Sequence, residues 1–188
     1  MKLYHGSKVV VDKPLVSYWR DNLDFGKGFY TTSLKEQAEK WVQRFILLGN
    51  KGIINIYDYN ETEAKSKYKY KSFAEYNEEW LDFVLACRDG SKIYQDYDII
   101  EGGIANDKVF NTVELFFQNL IDKKTALSRL QYEKPNNQIC FINQNVMDDV
   151  MHFESSYELK GSNWWPLMLL FYRWNTQELF PFWQSKPI

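Results

Sequence analysis

Three polar side chains sit inside short apolar islands of this chain: the imidazole of His5 in Leu3-Tyr4-His5-Gly6-Ser7, the phenol of Tyr30 in Gly26-Lys27-Gly28-Phe29-Tyr30-Thr31-Thr32, and the carboxamide of Gln138 in Asn136-Asn137-Gln138-Ile139-Cys140-Phe141. Each island reads as a strand. A carboxamide can orient a ligand through its donor and acceptor, but it carries no charge and cannot act as a base. Other chemistries find little support. The only two histidines are His5 and His152, no zinc-type Cys/His spacing exists, and no metal is expected. No phosphate-cradling glycine loop of the P-loop or Rossmann type appears, and no nucleophile motif points to Ser-His-Asp or Cys-His catalysis.

Elements must hold these groups in place. Residues 2–5 and 28–32 read as strands, the second entered through Gly26 and Gly28. Ser33 with Glu36 has the form of a capping box, and Ala38, Trp41, Val42, Phe45 and Leu48 follow helical spacing up to Gly49. Residues 53–59 are rich in β-branched and aromatic side chains and predict a strand, whereas 65–71 predicts a solvated loop. Ser72 with Glu75 suggests a second capping box, opening a helix with the apolar stripe Phe73, Tyr76, Trp80, Phe83, Val84 and Cys87. A short strand at 97–100, helices at 109–121 and 124–130, and a strand at 138–142 complete the reading. Short strands with intervening helices, lacking regular alternation, predict an α+β domain with a split or curved sheet.

Bulk properties narrow the classes. A chain of 188 residues, 45% hydrophobic, is expected to hold one domain with a sizeable core. A net charge of −2 argues against a strongly basic grip on nucleic acid, although a local patch could serve. Cys87 and Cys140 read as reduced core thiols. The chain opens directly on a motif, and its longest apolar run, residues 167–172, is far shorter than the roughly 20 residues needed to span a bilayer. The expectation is a cytoplasmic protein with no membrane partner. After about Val150 the character changes: four of the seven tryptophans (Trp164, Trp165, Trp174, Trp183) lie there with Phe171, Tyr172, Phe180 and Phe182. This divides the chain into a domain at 1–150 and an aromatic extension at 151–188 that packs on the domain or binds a partner.

Tyr4-His5-Gly6-Ser7 and Gly28-Phe29-Tyr30-Thr31-Thr32 resemble the first two motifs of the diphtheria-toxin-like and poly-ADP-ribose-polymerase-like branch of the ADP-ribosyltransferases, the His-Tyr-Glu branch. The ordered set of Asn22-Leu23-Asp24-Phe25-Gly26-Lys27-Gly28-Phe29-Tyr30, Glu79-Trp80-Leu81-Asp82-Phe83, Ala105-Asn106-Asp107-Lys108-Val109 and Glu133-Lys134-Pro135-Asn136-Asn137-Gln138-Ile139-Cys140-Phe141 is similar to a bacterial domain-of-unknown-function family, number 3990, placed in that superfamily. The resemblance covers about residues 1–150. It implies split antiparallel sheets flanked by helices, and NAD as a substrate. His5 would hydrogen-bond an NAD ribose hydroxyl, on the adenosine side. Gly6 would let the backbone approach the nicotinamide carboxamide, with Ser7 beside it in the motif. Tyr30 would stack on the nicotinamide ring, Arg20 would meet the pyrophosphate, and Gln138 would stand where the family has its catalytic Glu.

The resemblance thus implies a mono-ADP-ribosyltransferase acting on a macromolecular acceptor (protein, DNA or RNA), with His5, Tyr30 and Gln138 as its catalytic set. Its context would be that of a toxin of a toxin–antitoxin or phage-defence system, with a cognate antitoxin protein as partner. Asp107 and Glu133 are candidate replacements for the lost carboxylate. Plainer explanations stand beside these roles: a hydrogen-bonded structural His5, a Tyr30 in sheet packing, a surface Arg20, an Asp107 that caps the following helix, and a Gln138 that is merely polar on a half-buried strand. The alternatives at the level of function are a catalytically weak NAD-binding or partner-binding module of the same fold, and an NAD glycohydrolase.

Overall fold

The structure, a computed structural model, describes residues 1–18, 21–103, 107–131 and 136–160. Two sheets carry the described chain. The first is antiparallel, with β3 (Ile53–Tyr59) between β1 (Lys2–Ser7) and β7 (Met151–Glu158). The second has the order β2 (Phe29–Thr31), β6 (Gln138–Phe141), β5 (Ile99–Gly102) and β4 (Tyr70–Ser72), with only the β4–β5 pair parallel. They meet where Tyr4 and Thr32 exchange backbone hydrogen bonds of 2.8 and 2.9 Å. The class is α+β, and the sheet is split.

Strand alternation explains how each sheet faces its cores. Leu3, Tyr57, Tyr59 and Met151 from the first sheet share one apolar cluster with Phe29, Ile99, Ile139 and Phe141 from the second. Val146, Met147 and Val150 of α6 (Gln144–Val150) and Ala64 of α2 (Glu61–Lys67) join them. Ile100 and Cys140, one residue out of phase on their strands, belong instead to the cluster built by α3 (Glu78–Arg88), α4 (Asp107–Phe117) and α5 (Lys123–Leu130). Ala38 and Val42 of α1 (Lys35–Leu47) pack with Ile54. Cys87 and Cys140 are both buried free thiols, as expected of core cysteines.

Several local expectations are corrected. Ser33 does not cap α1: its N–H and its hydroxyl both donate to Asn137 Oδ1, and the helix starts two residues later with no side-chain cap. Residues 65–71 are not a solvated loop. Asn60 caps α2 by accepting from the Glu63 N–H, Glu61 and Lys65 pair at i,i+4, and fully buried Ala64 ties this seven-residue helix to the core. The tertiary contact decides, because so short a helix is unstable alone. Ser72 ends β4 rather than opening a helix, and α3 begins at Glu78 under the Asn77 cap. Phe73 lies between them, donating its N–H to Glu101 O. Residues 151–158, which open the stretch expected as an extension packing on the domain or binding a partner, pair as β7 on the open side of β3; the aromatic run from Trp164 to Trp183 lies outside the described residues.

Among the described residues no helix is long and apolar enough to cross a membrane. Among the described residues the largest fully buried side chain is Trp80 of α3, whose indole N–H donates to Gly103 O at 3.2 Å. Truncation to alanine removes that bond and leaves an indole-sized void. Trp80→Ala is expected to lower unfolding free energy by about 3–5 kcal/mol, read as a fall in the urea midpoint.

Candidate functional site

His5 is buried on β1, opposite Asn55 of β3. Its Nδ1 lies 2.8 Å from the backbone oxygen of Tyr30, and its ring is 4.6 Å from that of Phe29. A carbonyl only accepts, so Nδ1 must carry the proton. Burial pulls the imidazole down to about 4, against a smaller upward pull from the Tyr30 carbonyl. At neutral pH the ring is therefore the uncharged Nδ1–H tautomer, and Nε2 has acceptor character.

The strand that carries His5 is pinned by a residue the sequence did not single out. Asn55, with no solvent exposure, donates through Nδ2 to His5 O at 3.2 Å and to Ser7 Oγ at 2.9 Å, and accepts the Val11 N–H at 2.8 Å. Tyr57 adds a hydroxyl bond of 2.6 Å to Val11 O. The available signal was a lone carboxamide between Ile54 and Ile56. Ser7 thereby has a structural duty, since its own hydroxyl donates to Val9 O. Gly6 has one as well: a Cβ there would lie 2.6 Å from Val42 Cγ1 and 3.1 Å from Ala38 O, so α1 lies against β1 at this point.

Tyr30 sits on β2 opposite Cys140. Its hydroxyl donates to Gly26 O at 2.6 Å and accepts the Phe25 N–H at 3.1 Å. Gly26 takes φ of +71°, a left-handed turn that glycine makes without strain. Burial, with Cys140 and Asp24 adding to it, pushes the phenol well above its ordinary range. The hydroxyl is neutral and committed to the turn, so the half-buried ring is what Tyr30 can offer a ligand.

Gln138 opens β6 opposite Gly102 and is 8% exposed. Alternation puts it on the face of Cys140, hence of Tyr30, diagonal neighbours on such a ladder having Cα atoms about 7–8 Å apart. Its Nε2 is buried with no hydrogen-bond partner among the described residues. Asn137 beside it is a hub. Its Oδ1 accepts from Ser33, its Nδ2 donates to Glu101 Oε1 at 3.0 Å, and its backbone oxygen accepts from Gln37 Nε2 at 2.8 Å. Glu101, also not anticipated, receives the Tyr70 hydroxyl at 2.9 Å and lies 3.5 Å from Lys65. Each oxygen of this carboxylate thus accepts one hydrogen bond, Oε1 from Asn137 and Oε2 from Tyr70.

The structure thus joins His5 to the backbone of Tyr30 and sets Tyr30 and Gln138 on one face. Arg20 and Glu133, and the side chain of Asp107, which heads α4, fall outside the described residues. Two clefts of about 400 Å³ lie elsewhere: one lined by Asp58, Asn60, Glu63, Asp149 and His152, the other by Leu85, Ala86, Phe116 and Phe117. Among the described residues no group of three or more His, Cys, Asp or Glu is arranged to hold a metal ion.

A family model described as "Protein of unknown function (DUF3990)" matches residues 1–153. The chain belongs to this family. No curated relative and no solved structure matches it. The DUF3990 match contains His5, Tyr30, Asn55 and Gln138 and ends within β7, so the aromatic stretch lies beyond it.

Two outcomes follow for this DUF3990 protein. The unfolded chain protonates His5 near 6.5 and the folded chain near 4, so acidification favours unfolding between those values. The contribution of His5 to stability is full above about pH 6.5 and is lost towards pH 4, by at most about 3 kcal/mol. Urea titrations across this window should show that slope in the wild type and a shallower one in His5→Gln. Gly6→Ala forces α1 away from β1 and should destabilise by about 1–3 kcal/mol, checked by thermal and urea unfolding.

Proposed function

We propose that this protein is an NAD-dependent mono-ADP-ribosyltransferase that uses His5, Tyr30 and Gln138 to hold NAD. The observation that carries the proposal is the His5 imidazole, kept neutral by burial and turned by the Tyr30 carbonyl so that Nε2 is an acceptor. An acceptor suits a ribose hydroxyl. The tied-down Tyr30 ring suits an aromatic base, and the buried Gln138 amide suits an uncharged polar group. These groups fit the dinucleotide that the ordered motifs imply.

In the reaction, the bond between ribose C1′ and the nicotinamide nitrogen breaks. Nicotinamide leaves with the bonding pair as a neutral molecule, so no general acid is required. The oxocarbenium-like C1′ is captured by an oxygen or nitrogen of the acceptor, whose proton passes to solvent. His5 and Tyr30 fix the conformation of the dinucleotide. Gln138 orients the nicotinamide ribose through its 2′-hydroxyl but adds no anionic stabilisation. The acceptor is a protein, DNA or RNA, and the biological setting in keeping with this chemistry is a toxin, within a toxin–antitoxin or phage-defence system.

The test is incubation of purified full-length protein with lysate and NAD labelled in its adenylate part, scoring released nicotinamide and macromolecule-bound label. Protease and nuclease digestion then identify the acceptor. His5→Ala and Tyr30→Ala, still folded, should each lose about tenfold or more in rate. Free ADP-ribose without a labelled acceptor would make the enzyme a glycohydrolase. Failure to bind NAD, or to release nicotinamide with lysate present, would overturn the proposal.

A second assignment, an NAD-binding module with little turnover, is favoured by one observation: the site has a carboxamide at Gln138, and Glu101, paired with Ile139 on the opposite face of the sheet, is bonded to Asn137 and Tyr70. Gln138→Glu separates the two. A rise in transfer of about tenfold or more supports the enzyme; tight NAD binding with no transfer in either form supports the module.

A further inference from the structure

The Tyr30 ring is held by a turn, and the turn is tied to a helix from elsewhere in the chain. The Tyr30 hydroxyl sits between Gly26 O, which accepts from it at 2.6 Å, and the Phe25 N–H, which donates to it at 3.1 Å. The turn closes where the Gly26 N–H donates to Leu23 O at 2.9 Å, and it contains Asp24. Arg88, the last residue of α3, donates to Asp24 Oδ1 from Nε at 2.9 Å and from Nη2 at 2.7 Å. The two side chains are only 15% and 12% exposed. The guanidinium lies 4.9 Å from the centre of the Phe110 ring on α4. Its remaining nitrogen, Nη1, is buried with no hydrogen-bond partner among the described residues.

We infer that Arg88 is a positioning residue for the ligand: through Asp24 and the turn at 23–26 it sets the angle at which Tyr30 presents its ring to nicotinamide. An ion pair this far removed from water adds little net stability, because desolvation offsets the attraction. What two donors on one oxygen do fix is position. The helix end that carries Arg88 is anchored, since Trp80, Val84 and Cys87 of α3 lie in the helical core. Phe25 holds the apolar side of the turn in that same core, and Arg88 holds its polar side. Gly26, at φ of +71°, has the freest backbone in the turn, so the constraint on the phenol must come from its neighbours. The inference rests on the NAD proposal and deepens it: Arg88 acts through Tyr30 and not by contact with the phosphates.

Equilibrium binding of NAD and of ADP-ribose, which lacks nicotinamide, to the full chain tests this. Arg88→Met, its fold checked by thermal melting, should bind NAD about fivefold or more weakly while keeping its ADP-ribose affinity within about twofold. Asp24→Asn breaks the charge pair from the other side and should give the same split, so the test survives if one variant does not fold. Arg88→Lys, which keeps the charge but has one nitrogen to offer, should lie between Arg88→Met and the wild type. Tyr30→Ala should lose about tenfold in NAD affinity, and adding Arg88→Met to it should change that by no more than about twofold, because the two residues act in series. Unchanged NAD affinity in both Arg88→Met and Asp24→Asn, or losses that add in the double variant, overturn the inference and leave the NAD proposal intact. Equal loss of NAD and ADP-ribose does the same, being the signature of a phosphate contact or of a general disturbance. Failure of the wild type to bind NAD overturns both.

Discussion

The structure depends on the seam where its two sheets meet. One residue pair, Tyr4 and Thr32, exchanges the backbone bonds that stitch β1 to β2, and the His5 imidazole adds a third link by reaching the Tyr30 carbonyl. Buried hydrogen bonds of this kind contribute only about 0.5–1.5 kcal/mol each, but a bare buried partner costs more than a formed bond gains. The seam therefore specifies geometry more than it supplies stability. A ring nitrogen in the link means that a single proton, on Nδ1, both joins the sheets and sets the acceptor character of Nε2.

Around the seam, carboxamides do the bracing. Asn55 ties the outgoing end of β1 to the loop through Val11. Asn137 ties β6 to Glu101 on β5 and, through Ser33 and Gln37, to α1. Each amide has a donor end and an acceptor end, so a network of them can be satisfied inside a protein without buried charge. An end is left over at Gln37 Oε1 and at Gln138 Nε2, both buried without a hydrogen-bond partner among the described residues.

The architecture was legible where apolar periodicity was strong. The helix carrying Ala38 and Val42, the strand at 53–59 and the strand at Gln138 stand where spacing placed them, within a residue or two. Polar signals were read less well because a short side chain has several local uses. Ser33 resembles a cap in sequence but spends both its donors on Asn137, about a hundred residues away, a partner that only the fold reveals. The Lys-rich run at 65–71 looked solvated because what orders it lies outside it: buried Ala64 just before it, and β5, where Tyr70 and Lys71 pair with Ile99 and Ile100. For the site, His5, Tyr30 and Gln138 were visible as polar groups in apolar strands, but Gln37, Asn55 and Glu101 acquire meaning only from tertiary partners.

The account turns on the state of one imidazole, and with only two histidines in the chain it can be observed directly. Nitrogen NMR of the ring, assigned with the help of His152→Gln, reports which nitrogen carries the proton at pH 7 and whether Nε2 changes on saturation with NAD. The expected spectrum has a protonated Nδ1, an unprotonated Nε2 in the free protein, and an Nε2 resonance that moves in the hydrogen-bonded direction when NAD is added. A proton on Nε2, or an Nε2 resonance unmoved by saturating NAD, would contradict the account.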